Sequence, residues 1–595
     1  NFVGIPTDCP HREKNGWTGD AQLAMETGLW NFDAKDSYIH FLRMMLDAQR
    51  PNGAVPCILP CTPKFGFGWG SGPAWDTILF EIPWQIYRFY GDDAPAREAY
   101  PAMKRYMALA GVAAVILAFV AVCLGGLNQD EGWGLYAAQL VGDGKKLYRD
   151  FFYTQGPLLP VIYSAFSWTW TEGQGIVGAR MLTLAIGFSG IVFAMALARA
   201  LVPTGLKYVA ATITFLLLGN NLYHVYFLTI PKTYALSSLF TIMGFYLLCW
   251  SLTDKAVHFR SVLMFVSGLS LSYAAGTRIS LAIMLATSAA GLALAHRKYP
   301  WAWAVFAAGG AFGLVSVYGP YLTDSVAREG LLAAQRYHIA REGSDVFFAI
   351  GSVSRLVRWY LPVMVLAGLA VFTKRHPEAE GESFATILAR RLVVAGFLGV
   401  FALHMAAPYP YEDYQTPIMG LLAAVVAASA ARIEKGPLLA LGMAWACTFG
   451  SPLLEEWTTN GHDRLWALKK EKSEVCQLRD VARIVEALDP GGTELLTQDT
   501  YLAVETGRKV PAGLEMGPFS MLSKEEWRKL LETTDARIAA LSGYTFAVEP
   551  PVCKERPIEE QMEFWSILKT RYDLVANIDC FGQNATPLMI LKKKE

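Results

Sequence analysis

Two adjacent acidic residues, Asp130 and Glu131, closely follow an apolar run at residues 108–127 that holds no charged side chain. Ionisable residues at the boundary of a membrane are costly to place and often functional. A carboxylate there could act as a general base by accepting the proton of an attacking hydroxyl group. We therefore predict that Asp130 is a catalytic base, with Glu131 either positioning it or sharing its role. A solvated loop at the lipid head groups is the alternative, which spacing alone leaves open.

A second acidic cluster opens the chain, where Asp8, Glu13 and Asp20 stand near basic side chains. Paired carboxylates are what glycoside hydrolysis requires, since one donates a proton and the other acts as base or nucleophile. A solvated helix start has the same residue types, so composition leaves both interpretations open.

The composition is that of a membrane protein with soluble ends. The chain has 595 residues, of which 53% are apolar and 17% charged, whereas soluble domains average about 25% charged residues. The net charge is zero, which gives no indication of a nucleic-acid partner. The nine cysteines form no zinc-type pairs, and no glycine-rich nucleotide loop is present. We therefore predict no metal ligands, no cofactor and no nucleotide-sugar donor.

Apolar runs dominate residues 107–450. We predict about twelve membrane spans, since a helix needs about 20 apolar residues to cross the hydrocarbon. The run 222–250 could also hold a re-entrant piece around Pro231 and Lys232. The candidate spans are 107–127, 158–170, 176–200, 206–220, 222–250, 260–275, 279–296, 301–320, 359–373, 391–407, 417–432 and 436–450.

The basic residues predict the orientation, because lysine and arginine favour the cytoplasmic side of short loops. Four basic loops fall on one side if the spans alternate, which predicts an outer face that carries Asp130 and the C-terminal tail. Lys104 and Arg105, before the first span, predict a cytoplasmic N-terminal segment. The basic loops contain Lys255 and Arg260, Arg297 and Lys298, Lys374 and Arg375 with Arg390 and Arg391, and Arg432 and Lys435.

The stretch 128–160 carries a longer pattern: an acidic pair, a Tyr-Ala helix ending near a glycine, a Tyr-x-Asp turn and a Gly-Pro-Leu start to the next span. Its residues are Asp130–Glu131, Tyr136–Ala137, Gly144, Tyr148–Asp150 and Gly156–Leu158. This pattern resembles the first outer loop of the GT-C membrane glycosyltransferases, in the protein mannosyltransferase and aminoarabinose transferase branch. The resemblance implies a polyprenyl-phosphate-linked sugar donor, a glycan or lipid acceptor, and a site on the outer face of a bacterial inner (plasma) membrane.

Transfer from such a donor requires cations that neutralise the departing phosphate. Arg278 is the first candidate, although its side chain could instead snorkel to the interface. Glu412 and Asp413 share the outer face, where loop solvation alone would account for them. His404 is expected to be a helix-end histidine with satisfied partners. Further candidates for substrate binding are Lys145, Lys146, Arg149 and Asp150.

The first acidic cluster lies within PTDCPHREKNGWTGDAQ at residues 6–22. This motif resembles the signature of the α-L-rhamnosidases of glycoside hydrolase family 78, and the resemblance continues through 49–56 and 72–93. It implies an (α/α)₆ six-hairpin barrel. The family's general acid falls on Glu13, the flanking sugar-holding acids fall on Asp8 and Asp20, and Trp17 would be a stacking wall.

The rhamnosidase resemblance ends near residue 106, before the late part of the barrel that supplies the general base. An inverting hydrolase needs that second carboxylate, and a partial barrel leaves apolar faces uncovered. We predict that the segment is catalytically inactive and poorly stable alone. Gene rearrangement and the joining of two genes during sequence assembly would both explain the abrupt junction.

Together these patterns predict a mainly α, polytopic membrane protein in three parts. They are a truncated six-hairpin segment at 1–106, a GT-C-like transmembrane domain at 107–450 and an extracytoplasmic α/β domain at 451–595. The predicted function is a membrane glycosyltransferase that uses a polyprenyl-phosphate sugar. The alternatives are an inverting α-L-rhamnosidase and a non-catalytic lipid-sugar transporter or flippase.

Two further segments have predicted structures. Residues 321–358 alternate charged and apolar side chains at helical spacing, which predicts an amphipathic helix on the outer leaflet that could cover the donor. Residues 523–541 predict an amphipathic helix with Ser523 as its N-cap.

Overall fold

The computed structural model describes residues 5–9, 11–62, 66–67, 73–170, 175–253, 259–295, 297–339, 343–344, 346–372, 383–433, 473–549, 554–583 and 585–595. Within these ranges the chain is mainly helical, and its strands form a short pair near the N-terminus and a set in the tail. The predicted fold class, mainly α with an α/β tail, is confirmed.

The N-terminal part holds β1 (Gly16–Trp17), α1 (Thr18–Asn31), α2 (Lys35–Ala48), β2 (Ile58–Leu59), α3 (Pro73–Asp76), α4 (Ile78–Tyr90) and α5 (Ala94–Leu124). Next come α6 (Gln129–Gly142), α7 (Leu158–Ala165), α8 (Gly175–Ala200), α9 (Lys207–Gly219), α10 (Leu222–Thr229), α11 (Thr233–Thr253), α12 (Arg260–Thr277) and α13 (Ile283–Leu294). The membrane part continues with α14 (Ala302–Leu322), α15 (Ser325–Ile339), α16 (Val346–Trp359), α17 (Leu361–Phe372), α18 (Phe384–Met405) and α19 (Thr416–Ala430).

The tail contains α20 (Glu474–Leu488), β3 (Leu495–Leu496), α21 (Thr500–Thr506), α22 (Lys524–Thr533), β4 (Ile538–Ser542), β5 (Val548–Glu549), β6 (Lys554–Glu555), α23 (Ile558–Arg571), β7 (Tyr572–Phe581) and β8 (Thr586–Lys593). Its main sheet has the order β3-β4-β8-β7, in which β3 and β4 are parallel and the other pairs antiparallel.

α5 joins the N-terminal core to the membrane part without a break. The predicted boundary after residue 106 lies inside this helix. Its first turns pack on α2 and α4, where Gln49 Nε2 donates a hydrogen bond to the Ala102 carbonyl (2.9 Å). Its later turns are apolar enough to cross a membrane. The composition therefore changes to an apolar one at residue 107, while the backbone continues as a single helix.

The N-terminal core is small and one side of it is open. Tyr38, Phe41 and Leu42 are fully buried in it. Leu23 and Trp30, by contrast, are 86% and 72% exposed on α1. Apolar side chains left in solvent are what a partial barrel would present.

Among the described residues, five helices are long and apolar enough to span a bilayer, or six if the bent pair α16 and α17 forms one span. These five are α5, α8, α11, α14 and α18, and α13 and residues 204–219 are shorter apolar helices. The predicted number of about twelve spans is thus not reached in the part of the chain that the structure describes, because some apolar runs break into short helices. Residues 158–170, for example, hold the eight-residue α7 and a three-residue 3₁₀ helix. The candidate span 436–450 lies outside the described residues.

Two segments differ in detail from their predictions. Residues 321–358 form two helices, α15 and α16, instead of one. In the stretch 523–541, Ser523 caps α22 as predicted, but the helix ends at Thr533 and the apolar residues beyond it form β4. All five residues of β4 are buried, and a continuous apolar run is typical of a strand covered on both faces.

Candidate active site

The start of α6 places Asp130 in the wall of a small pocket. The Asn128 side chain accepts a hydrogen bond from the Asp130 amide (3.0 Å), and the Glu131 carboxylate accepts one from the Asn128 amide (2.8 Å). This reciprocal capping box fixes where the helix begins, and with it the position of Asp130. The pocket is lined by Asp130, Trp133, Gly134, Tyr153, Gln155, Leu159, Lys232 and Thr233.

Lys232 bridges two carboxylates from distant parts of the chain. Its Nζ lies 2.7 Å from Asp130 Oδ2 and 2.9 Å from Asp413 Oδ2. Tyr234 donates its hydroxyl to the same oxygen of Asp413 (2.9 Å). Lys232 occupies the break between α10 and α11, and Asp413 occupies the 3₁₀ helix Glu412–Gln415 before α19. We refer to Asp130, Lys232 and Asp413 as the charged triad.

Mutual attraction favours the ionised forms of Lys232, which is buried, and of Asp413, which is largely buried. Burial acts to lower the pKa of Lys232, but the charges of Asp130 and Asp413 outweigh it and raise that pKa well above its ordinary value. Burial likewise acts to raise the pKa of Asp413, but Lys232 and the Tyr234 hydroxyl bring it below its ordinary value. The charged side chains at the pocket are thus largely removed from solvent, where electrostatic interactions are stronger than in water.

Arg278 lies beside the charged triad, between two aromatic rings. Its guanidinium carbon is 4.9 Å from the Tyr234 ring centre and 4.8 Å from the Tyr414 ring centre. Lys232 Nζ is 4.5 Å from the centre of the same Tyr234 ring. Arg278 forms no ion pair with any carboxylate of the described residues. Its guanidinium is a cation held on ring faces, with one nitrogen 3.5 Å from the Thr233 hydroxyl.

Glu131 points away from the pocket into a buried ion pair. Its two oxygens lie 2.9 and 2.7 Å from the guanidinium nitrogens of Arg180, and both side chains are fully buried. Arg180 also donates hydrogen bonds to the carbonyls of Val122, Gly125 and Gly126 (3.1, 2.9 and 2.8 Å). The pair thereby ties the end of α5 to the start of α6.

The other predicted phosphate ligands lie outside the pocket lining. Lys145 and Lys146 are exposed. Arg149 forms an ion pair with Asp324 (2.6 Å) just before α15. Asp150 accepts a hydrogen bond from the Lys146 amide (2.8 Å) and so closes a local turn.

The N-terminal acids lie at the surface. Glu13 accepts hydrogen bonds from Arg12 (2.7 Å) and from the Trp17 indole (3.1 Å), both exposed contacts. Asp8 accepts one from the Asn15 amide (2.9 Å). Asp20 is exposed in the first turn of α1. Glu13 and Trp17 are therefore neighbours in the structure.

Sequence reasoning missed the contacts of two residues. Loop solvation alone would account for Asp413 in the sequence, whereas in the structure its carboxylate is largely buried and lies 2.9 Å from Lys232 Nζ. Lys232 was noted only as part of a possible re-entrant piece. A lysine inside an apolar run is itself a signal of function, and it could have identified Lys232. His404, in contrast, is buried and bonded to Ser280 Oγ (2.8 Å), as expected.

The described residues contain no group of three or more histidine, cysteine, aspartate or glutamate side chains that could hold a metal ion.

Comparison with known proteins finds one kind of match for the N-terminal segment and another for most of the chain. Residues 1–111 match the family model described as the bacterial alpha-L-rhamnosidase 6 hairpin glycosidase domain. An alpha-L-rhamnosidase of Formosa agariphila is 37% identical over 112 residues, which are 18% of this chain and 11% of that protein. One of an Alteromonas species is 33% identical over 111 residues, which are 18% and 11% of the two chains. The chain thus spans about one tenth of the length of these relatives.

A solved structure shares its fold with most of this chain. The crystal structure of ArnT from Cupriavidus metallidurans, bound to undecaprenyl phosphate, superposes on 82% of this chain and 98% of that one with a TM-score of 0.53. The sequence identity is 13%, so the likeness is one of fold. The chain therefore combines an N-terminal segment similar to part of a rhamnosidase six-hairpin domain with a GT-C fold.

Proposed function

We propose that this protein is an inverting membrane glycosyltransferase that takes a sugar from a polyprenyl-phosphate donor. The observation that carries the proposal is the charged triad, in which Lys232 contacts Asp130 and Asp413, beside an Arg278 that pairs with no carboxylate of the described residues. A carboxylate base in the pocket wall and two cations, Lys232 in that wall and Arg278 beside the triad, are the groups that this reaction requires. The shared fold with an enzyme solved with undecaprenyl phosphate supports the same donor class.

In the proposed reaction an acceptor hydroxyl attacks the anomeric carbon of the donor sugar. Asp130 accepts the hydroxyl proton as the new C–O bond forms. The bond between the anomeric carbon and the phosphate oxygen breaks, and the polyprenyl phosphate leaves with the bonding electron pair. A lysine ammonium has three N–H donors, and Lys232 uses two on Asp130 and Asp413, so the third can hold a phosphate oxygen. Arg278 would neutralise the same leaving group.

Glu131 is proposed to position Asp130 and not to share its role. Its oxygens are already engaged by Arg180 and by the Asn128 amide. Lys145, Lys146 and Arg149 are retained only as candidates for contacts with lipid phosphate outside the pocket.

We further propose that the site faces the outer side of a bacterial inner membrane. The segment 128–160 and the described tail share one buried core, so both would lie on the same side. The N-terminal core packs at the opposite end of α5, which agrees with a cytoplasmic N-terminal segment. The acceptor would be a glycan or a lipid exposed on the outer face.

The substitution Asp130→Asn tests the proposal directly. Purified full-length protein in detergent is given polyprenyl-phosphate sugars and a panel of glycan and lipid acceptors. Loss of the general base should lower transfer by about 10²–10⁴-fold. Asp143→Asn is the matched control, since Asp143 follows the other end of α6 and, among the described residues, forms its ion pair with the exposed Lys509 (3.1 Å). Transfer that survives in Asp130→Asn would exclude Asp130 as the base, and a flippase would show no transfer even in the wild type.

A rhamnosidase activity is the second candidate, favoured by the match over residues 1–111. We propose that this segment is inactive, because it lacks the part of the barrel that carries the general base. Release of rhamnose from an aryl rhamnoside by the wild type, abolished by Glu13→Gln, would contradict this.

A further inference from the structure

The tail domain contacts α6 on both sides of Asp130 along the chain. Before it, the Leu127 amide donates to Glu474 Oε2 (2.6 Å) and the Gln129 amide donates to Gln583 Oε1 (2.7 Å). After it, the Trp133 ring packs edge-on against Phe519, with ring centres 5.2 Å apart. The segment around Asp130, at the start of α6, is therefore held by residues of the tail that lie more than 300 positions away in the sequence.

Asp499, at the start of α21, is the centre of these contacts. Its side chain is completely buried. Its Oδ1 accepts hydrogen bonds from the Tyr501 hydroxyl (2.6 Å) and from Gln129 Nε2 (3.2 Å). The Tyr544 hydroxyl also donates to this oxygen and contacts Gln129 Nε2. One carboxylate oxygen thus collects three donors, one of which belongs to the residue before Asp130.

The packing leaves no room for α6 to shift toward the tail. A Cβ atom on Gly132 would lie 2.6 Å from the Tyr501 amide nitrogen and 2.8 Å from Thr500 Oγ1. The glycine therefore permits the first turn of α6 to lie directly against the backbone of α21.

We infer that the tail domain is part of the active site, with Asp499 as a positioning residue that holds Asp130 against Lys232 through Gln129. This inference rests on the proposed role of Asp130. Asp499 touches neither the pocket nor its charged triad, so it acts only through the backbone position of α6. A displacement of about 1 Å from a productive geometry can cost about 100-fold in rate, and the Asp130–Lys232 contact of 2.7 Å is sensitive to such a shift.

Two substitutions at Asp499 separate positioning from general stability. Asp499→Leu removes the acceptor that Tyr501, Tyr544 and Gln129 share, whereas Asp499→Asn keeps an acceptor oxygen in the same place. Asp489→Leu is the matched control, because Asp489 is a buried tail carboxylate whose ion pairs are with Arg508 (2.9 Å) and Arg537 (3.6 Å), both within the tail.

Three quantities are measured on full-length protein in detergent: sugar transfer, affinity for undecaprenyl phosphate, and hydrogen exchange of the amides of residues 129–132. In Asp499→Leu we expect transfer to fall by about tenfold or more, exchange at 129–132 to accelerate by a similar factor, and affinity to stay within about twofold. Asp499→Asn should restore transfer and exchange. Asp489→Leu should lower the melting temperature while leaving exchange at 129–132 unchanged.

Wild-type transfer and exchange in Asp499→Leu would overturn the inference, as would equal damage in Asp499→Asn. If the wild type transfers no sugar, the proposed function fails, and the exchange measurement still decides whether Asp499 holds α6.

Discussion

The molecule contains two acidic sites, and they differ in what surrounds them. Glu13, with the neighbouring Asp8 and Asp20, lies at the surface of a segment that is 37% identical to known rhamnosidases. Asp130 and Asp413 are largely buried and share Lys232, and Asp130 and Lys232 line a pocket, in a part whose structural relative is only 13% identical. The acids with the stronger sequence match thus lie toward the surface, whereas those with the weaker match pack against a buried cation.

The difference shows that a sequence motif specifies only which residue types are present. An active site also requires the surrounding helices and strands that enclose those residues. The N-terminal segment corresponds to about one tenth of its relatives, so the elements that would enclose Glu13 are missing from the match. The GT-C part superposes on 98% of its relative, and helices far apart in sequence meet around Asp130. We therefore expect substitutions in the buried site to have large effects and those at the exposed site to have small ones.

The largest effect on stability is expected for Arg180→Met. The substitution leaves Glu131 charged and buried without a partner, and removes the donors to three backbone carbonyls. Breaking such a pair should lower the free energy of unfolding by about 3–5 kcal/mol, which denaturant titration in detergent would measure. Arg483→Met is the control, because its pair with Asp480 is exposed and should contribute less than about 1 kcal/mol. Equal effects of the two changes would contradict the comparison.

A double-mutant cycle would measure the coupling within the charged triad. Lys232→Met leaves Asp130 and Asp413 without their shared cation, whereas Asp413→Asn removes one of the two negative charges. We expect a coupling free energy of about 0.5–3 kcal/mol between Lys232 and Asp413, obtained from the unfolding of the two single variants and the double variant. If the effects of the two substitutions on the free energy of unfolding simply add, the contact between Lys232 and Asp413 contributes nothing to stability.

The pH dependence of stability tests the burial of Asp499. Burial raises its pKa above the ordinary value of 3.8, and hydrogen bonds from Tyr501 and Tyr544 only partly offset this. The folded protein then binds the proton more tightly than the unfolded chain, so stability declines as the pH rises from 3.8 through the raised value. The Asp499→Asn variant has no titrating group at this position, so it should be more stable than the wild type at pH 7. Thermal unfolding from pH 4 to 8 should show that the difference in stability between the two proteins shrinks as the pH falls.

The smallest effect is expected at the exposed site. Glu13→Gln removes one charge whose close contacts, Arg12 and Trp17, are themselves at the surface. The free energy of unfolding should stay within about 0.5 kcal/mol of the wild type, and sugar transfer should not change. A loss of transfer would show that the N-terminal segment contributes to the membrane enzyme.

The features that sequence predicted are local ones. The apolar runs indicate membrane helices, Ser523 marks the start of α22, and the acids after residue 127 identify the start of α6. Each of these depends on neighbours within a few residues, so spacing alone is sufficient to find it.

The features that sequence missed depend on distant packing. Lys232 and Asp413 are 181 positions apart, and nothing in either segment specifies that α10, α11 and the 3₁₀ helix meet at one pocket. The described residues hold fewer spanning-length helices than the predicted spans, because apolar composition does not distinguish a long helix from two short ones. Residues 538–541 were assigned to the amphipathic helix that begins after Ser523, and only their place inside the sheet determines that they form a strand.

The continuity of α5 fixes how the two halves of the molecule are turned relative to each other. Its 31 residues form a rod about 46 Å long, with the N-terminal core at one end and the turn that leads to Asp130 at the other. One residue inserted after Tyr106 would rotate that core by about 100° around the helix axis and move it by about 1.5 Å. A change in the length of this helix would therefore redirect the face that the core presents to the membrane, while the pocket beyond its far end keeps its shape.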